Sequence, residues 1–312
     1  MKAVGLMVHG GPEVLHIIDV PPVSAGPGQV RIRIHAAAVN PTDIVARNGM
    51  RAEFQRQKPP PYVPGMDAAG VVDQVGAEVT TGIKVGDPVM AMVVPSGIHG
   101  AYREQIVLDQ NAVVPAPAGC THVEACTLPM NALTARMSLD LLGLQSGQVL
   151  AVTGGPGAYG GYVIQLAKAA GLQVIADAAD SDRDLLVALG ADVIVSRGER
   201  FAEKIREHFP LGVDGLADGA LLNGLAIDAV KDGGHFTAIR GFKGGDVRGI
   251  HFTATWVTGY DGAYAKLDRL REQVECGQLT LRVAQAVAPE EASYAHRQLE
   301  AGGTRGRMVI KF

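Results

Sequence analysis

The 312-residue chain holds only three cysteines, Cys120, Cys126 and Cys276, and no two of them form a C-x-x-C pair. That spacing excludes a disulfide framework and a cysteine-rich zinc knot. No window reaches the roughly 18 uninterrupted apolar residues of a membrane-spanning helix. The opening Met1-Lys2-Ala3-Val4-Gly5-Leu6 lacks the apolar core of a signal peptide and enters a strand-like pattern at once. A reduced, cytoplasmic setting is therefore expected. The net charge is only −4, which gives no reason to expect nucleic acid or an anionic membrane as a partner. His9, His35, His99, His122, His235 and His251 are scattered without metal-ligand spacing. What is present is 47% hydrophobic and 19% charged residues, a globular composition with ample core and length for two domains.

The first ~120 residues are rich in strand and turn signals. Val30-Arg31-Ile32-Arg33-Ile34-His35 alternates with period two, as a half-exposed strand does. Glycine and proline interrupt at Gly10-Gly11-Pro12, Gly26-Pro27-Gly28, Pro59-Pro60-Pro61 and Gly86-Asp87-Pro88. From about residue 123 strands and helices alternate. Strands are expected at 149–152, 174–176, 191–195, 213–217 and 235–239, with helices at 182–189 and 201–208. That order predicts α/β architecture with a doubly wound parallel sheet. A helix from Ala263 to Cys276 and a closing strand from Arg307 to Phe312 complete the chain.

One stretch carries direct chemical meaning. Val149-Leu150-Ala151-Val152 looks like a buried parallel strand, and Tyr162 to Ala170 like a helix. Between them Gly155, Gly157 and Gly160 form G-x-G-x-x-G within Gly154-Gly155-Pro156-Gly157-Ala158-Tyr159-Gly160. At a strand-to-helix turn the first glycine permits the tight turn, and the second lets backbone approach a pyrophosphate. The third allows close helix–strand packing, and the helix start supplies positive dipole. Residues 154–160 are therefore expected to bind a dinucleotide. Asp177, 22 positions after Gly155, could bond ribose hydroxyls and favour NAD.

Further marks are Asn40-Pro41-Thr42-Asp43, Pro64-Gly65-Met66-Asp67-Ala68-Ala69-Gly70-Val71-Val72 and Val85-Gly86-Asp87-Pro88-Val89. Leu133-Thr134-Ala135, Leu189-Gly190-Ala191-Asp192 and Gly306-Arg307-Met308-Val309-Ile310 follow in order. In these segments, almost end to end, the chain resembles the medium-chain dehydrogenase/reductases, specifically the zinc-independent quinone oxidoreductase branch. The resemblance implies a GroES-like β-rich catalytic domain, residues 1–122 and 265–312, interrupted by a Rossmann domain at 123–264. The active site would lie in the cleft between them.

Zinc-dependent alcohol dehydrogenases of that superfamily place a cysteine, a histidine and a cysteine where this chain has Asn40, Met66 and Met130. None of these three is a competent zinc ligand, and the structural zinc lobe with its closely spaced cysteines is missing too. No metal is expected. Without Lewis-acid help for an alkoxide, the implied chemistry is hydride transfer to a quinone or an α,β-unsaturated carbonyl.

The resemblance also implies individual roles. Asn40 would bond the acceptor carbonyl, with Asp43 anchoring its loop, and Thr134 would orient the nicotinamide amide. Asn131 could face the cleft or cap a helix. Arg51 stands where many relatives carry a proton-donor tyrosine, which leaves the proton source open, and Tyr62 is the candidate substitute. In the family the usual acidic position falls at Ala178, so the Asp177 side chain could face away from the ribose. Arg183 falls where NADPH-using relatives carry a lysine, and Arg197 follows the third strand; a guanidinium holds a 2′-phosphate bidentately. We expect NADPH rather than NADH. Ile250 to Val257, strand-like, would join two Rossmann sheets in a homodimer. A tailoring enoyl reductase and a nucleotide-binding protein with little turnover are the alternatives.

Overall fold

A computed structural model describes residues 1–50, 58–260 and 263–312, so Arg51 lies outside the described residues. The chain forms two compact units. One comprises Met1–Met130, Gly262–Glu275 and Leu281–Phe312; the other comprises Asn131–Asp261 and Cys276–Thr280.

The first unit is built on a seven-stranded sheet plus the antiparallel pair β1 (Lys2–Gly5) and β2 (His16–Asp19). Its organiser is β3 (Gln29–Ala38), whose alternating residues bury one face. β3 pairs antiparallel with β4 (Asp67–Val75), with β6 (Gln105–Asp109) and with β15 (Arg307–Lys311). β5 (Pro88–Met92) and β7 (Val113–Pro115) extend the sheet beyond β4, and β14 (Val283–Val287) extends it beyond β15. Val30, Ile32, Ile34, Val72, Ile106 and Ile310 form part of its core.

Helix α1 (Pro41–Arg47) starts directly after β3, because Pro41 suits the first helical turn. The short helix α2 (His122–Ala125) packs on β3 and β4.

The second unit holds a six-stranded, wholly parallel sheet. Its strands are β8 (Val149–Thr153), β9 (Gln173–Ala178), β10 (Val193–Ser196), β11 (Val213–Asp218), β12 (Val230–Ile239) and β13 (His251–Thr255). The order β10-β9-β8-β11-β12-β13 is the doubly wound Rossmann arrangement. The chain starts at the middle, winds outward one way, then returns and winds the other. The loop after β8 thus lies at the switch point, where such sheets bind ligands. The connecting helices are α3 (Pro129–Leu142), α4 (Ala158–Ala169), α5 (Arg183–Leu189) and α6 (Phe201–His208). Helices α7 (Ala263–Glu275) and α8 (Ala292–Ala301) belong to the first unit. No helix among the described residues is long and apolar enough to cross a membrane.

Candidate active site

The glycine-rich loop leaves β8 through Gly154, whose φ of +69° is the left-handed turn. The tight turn therefore belongs to Gly154 and not to Gly155. Gly155 serves close packing instead: a Cβ there would stand 2.7 Å from Leu186 Cδ2 and 3.2 Å from the Ala176 methyl. At Gly160 an added Cβ would come within 2.3 Å of the Gly154 carbonyl oxygen, so the first turn of α4 lies against the loop.

Gly157 is different. It is the N-cap of α4 with ordinary extended angles and no side-chain cap. Among the described residues a Cβ there would meet the Gly154 oxygen alone, at 3.1 Å. A twelve-residue helix thus begins at a glycine, which brings no side chain of its own to cap the N-terminus. That is the cradle a pyrophosphate fits. Ala158 follows as the first helical residue, and Pro156 is buried behind it.

Tyr159 contributes backbone only, because its phenol turns inward and donates to Ser138 Oγ at 2.7 Å. Ser138 in turn donates to the Thr134 carbonyl at 3.0 Å. Thr134 itself is half-buried, one turn after Met130 on α3.

Asp177 is 4% exposed, and its carboxylate accepts the N–H groups of Gly154 (2.6 Å) and Gly155 (3.2 Å). Its side chain buttresses the loop from beneath. Burial lifts the carboxyl above its ordinary range, while the two amides and the Arg197 charge oppose that. Ala178 closes the strand with a bare methyl. Arg183, the first residue of α5, and Arg197, just past β10, are both exposed.

In the first unit, Asn40 caps α1 and is fully buried. Its amide Nδ2 donates to Asp67 Oδ2 at 2.7 Å and, more weakly, to the Ala38 carbonyl at 3.4 Å. Asp67 Oδ1 accepts the Met130 N–H at 2.7 Å. Asp43 lies one helical turn from Asn40 and accepts three donors: the Asn40 N–H (2.8 Å), the Gly65 N–H (3.1 Å) and the Tyr102 hydroxyl (3.0 Å).

Behind Tyr102 stands His296 on α8, with Nε2 3.2 Å from the phenol and Nδ1 3.3 Å from Arg47 Nη1. Arg47 also pairs with Glu300. An arginine only donates, so His296 Nδ1 accepts, its Nε2 carries the proton, and Tyr102 passes its own proton toward Asp43. The chain of bonds runs one way, from Arg47 to Asp43. Burial, aided by Arg47, holds the His296 pKa down to about 3, so this ring is neutral. Burial raises Asp43 to about 6 and Asp67 to about 7.

Tyr62 stacks on His9 at 5.1 Å and donates its hydroxyl to the Lys58 carbonyl at 3.1 Å. That phenol is engaged with backbone. Met66 and Met130 are buried, at 5% and 6% exposure. Amide and thioether groups at 40, 66 and 130 do not fit zinc, which takes thiolate, imidazole or carboxylate. Among the described residues no group of three or more His, Cys, Asp or Glu could hold a metal ion.

His296, Tyr102, Arg47 and Asp67 escaped sequence reasoning as functional residues. His296 meets its partners across 194 and 249 positions, and no local pattern announces that. Asp67 did leave a signal: an acid inside the apolar run Val63 to Val72.

The description "Alcohol dehydrogenase GroES-like domain" matches residues 26–118, and "Zinc-binding dehydrogenase" matches residues 189–310. A 2-methylene-furan-3-one reductase of Solanum lycopersicum is 32% identical over 77% of this chain, which spans 62% of that relative's length. A quinone oxidoreductase of Pseudomonas aeruginosa is 28% identical over 99% of both chains. The crystal structure of an NAD-dependent alcohol dehydrogenase superposes with a TM-score of 0.87 at 30% identity, covering 100% of each chain. With its GroES-like unit, its Rossmann sheet and these relatives, the chain belongs to the medium-chain dehydrogenase/reductase superfamily, oxidoreductases that use a nicotinamide cofactor.

Proposed function

We propose that the protein is an NADPH-dependent, zinc-independent reductase of quinones or α,β-unsaturated carbonyl compounds. The observation that carries this reading is the donor set at Asn40, Met66 and Met130, which replaces every zinc-ligand type while the glycine-rich loop stays intact. Without a metal to stabilise an alkoxide, an acceptor already activated by conjugation suits the site best. Named activities of relatives point the same way, including an alkenal/one oxidoreductase of Arabidopsis thaliana.

The reduced nicotinamide, when bound, supplies the hydride. The start of α4 at Gly157, Ala158 and Tyr159 holds the pyrophosphate through backbone N–H groups. Arg183 and Arg197 take the 2′-phosphate, and Ala178 leaves room there because it carries no acid. Thr134 orients the carboxamide. Asn40 is the side-chain donor for the negative charge that develops on the acceptor oxygen. Because the Tyr62 hydroxyl is spent on Lys58, the proton comes from water. A homodimer through the edge of β13 completes the reading.

The test is NADPH and NADH oxidation against a panel of quinones, enals, enones and simple ketones. Quinones should turn over best and ketones barely. Zinc-free oxidation of a simple secondary alcohol at matching rates would overturn the assignment.

A further inference from the structure

The histidines lie far apart in the sequence, but the parallel sheet brings two of them together. His235 of β12 and His251 of β13 are direct register partners. Their rings stand on one face of the sheet, with centres 5.1 Å apart and planes tilted by 31°. His235 is half-buried and His251 is exposed. Among the described residues neither ring makes a hydrogen bond.

The pair lies at the opposite end of the sheet from the glycine-rich loop. His235 is in register with Gly215 of β11, and Gly215 with Leu150, the second residue of β8. The loop leaves β8 from its other end, after Thr153. The two histidines are therefore separate from the dinucleotide cradle of the same unit.

We propose that His235 and His251 form a bidentate site for a divalent transition-metal ion, zinc(II) or copper(II), which clips the edge strand β13 to β12. Water fills the remaining coordination positions, since among the described residues no group of three or more His, Cys, Asp or Glu could hold a metal ion. Zinc binds an imidazole nitrogen at about 2.0–2.1 Å, which places it roughly 3.2 Å from the ring centre. A tetrahedral angle between two such bonds puts the ring centres about 5 Å apart, and the observed 5.1 Å meets that requirement. The broad χ2 torsion of histidine lets each ring aim a nitrogen at the shared ion without moving the backbone.

The electrostatics suit a metal ligand pair. Coordination needs both imidazoles neutral. Burial first, then the charges of His251 and Lys231, hold His235 below the ordinary histidine range. The Lys231 ammonium, which would repel a cation, is paired with Asp214. The other close pair, His35 and His122, stacks at 4.8 Å but offers no such site. Each of those rings has one nitrogen shut off from solvent, His35 Nε2 and His122 Nδ1, and the Arg33 charge bears on His35.

The experiment titrates untagged, metal-stripped full-length protein with Zn2+ and with Cu2+. One equivalent should bind per chain, Cu2+ more tightly than Zn2+, and the Cu2+ form should show two nitrogen donors by electron paramagnetic resonance. H235A and H251A should each weaken binding by about tenfold or more, because the second ligand no longer acts within the same molecule. Affinity should fall as the pH drops below the ordinary histidine range, since protons and the ion compete for the same nitrogens. Zn2+ should raise the melting temperature of the wild type and not that of H251A. The H251A change is at an exposed side chain, so its melting temperature without metal should match the wild type and show that the fold is kept. Undiminished Cu2+ affinity in the H235A/H251A double variant, a copper spectrum with a single nitrogen donor, or a wild-type melting temperature indifferent to Zn2+ overturns the proposal.

Discussion

Gly157 and Gly160 are both glycines of one motif, yet they should respond to substitution in opposite ways. At Gly160 a methyl would collide with the Gly154 carbonyl oxygen at 2.3 Å, and neither side is a flexible side chain. Gly160→Ala should lower stability by about 1–3 kcal/mol through forced backbone shifts. Among the described residues a Cβ at Gly157 meets one atom, at 3.1 Å, and the backbone angles suit any residue, so the melting temperature of Gly157→Val should stay near the wild-type value. The valine would stand where phosphate oxygens belong, so NADPH binding by fluorescence titration should be lost. If Gly157→Val binds NADPH normally, the pyrophosphate does not lie at that cap.

Arg183→Ala tests the neighbouring question. It should weaken NADPH by about 1–3 kcal/mol, as loss of a hydrogen bond to a charged group does, and leave NADH nearly unchanged. Equal losses would remove Arg183 from 2′-phosphate recognition.

Asp67 makes a stability prediction as well. Its folded pKa lies above that of the unfolded chain, so the folded state holds the proton more tightly. The stability this contributes is full below about pH 4 and is lost as pH rises through about 7. Relative to wild type, Asp67→Asn should therefore gain in melting temperature between pH 5 and pH 8. A difference that does not change with pH would show that Asp67 is not the group taking up the proton.

Elements with a strong local signature were legible. The run before the glycines is β8, and the period-two segment from Val30 lies inside β3. The expected helix at 182–189 resolves into a 3-10 turn over Asp180–Asp182 followed by α5, because Asp182 and its neighbours favour turn geometry over helix interior. The expected strand at 235–239 starts earlier, at Val230. Lys231-Asp232-Gly233-Gly234 reads as a turn on propensity, but Val230 still pairs with Val213 across a register shift in β11, and tertiary pairing prevails. The strand expected over 250–257 ends at Thr255 and passes into a 3-10 turn at Val257–Gly259.

The candidate site was legible in part, for a similar reason. The loop amides and Asn40 belong to contiguous motifs. Asp43, which accepts the Asn40 N–H, shares that motif, but the other pairings are remote: Asp67 lies 27 positions from Asn40, and Tyr102 bonds Asp43 across 59. Such contacts are fixed by sheet topology and leave no spacing to read.

At the scale of the whole molecule, β13 is the outer strand of the parallel sheet and, among the described residues, pairs only with β12. Its outward edge has no strand neighbour among the described residues, and Trp256 beside it is 44% exposed. An edge of this kind invites a second copy of itself. Light scattering at micromolar concentration should give about twice the 32.6 kDa chain mass, and a proline at Thr253 should lower it. A monomeric mass for the unaltered chain would count against the dimer.

The two units also differ in how they draw on the chain. Every strand of the parallel sheet lies between residues 149 and 255, whereas β3 awaits β15, which begins at Arg307. During synthesis the second unit therefore emerges whole while the first still lacks a sheet neighbour. Until then the Ala36–Ala38 stretch of β3, beyond its pairing with β6, lacks its partner in β15. A ribosome-arrested chain ending before Arg307 should show protease protection in the 149–255 region and not in residues 1–130. The order of domain formation is thus the reverse of their order of first appearance.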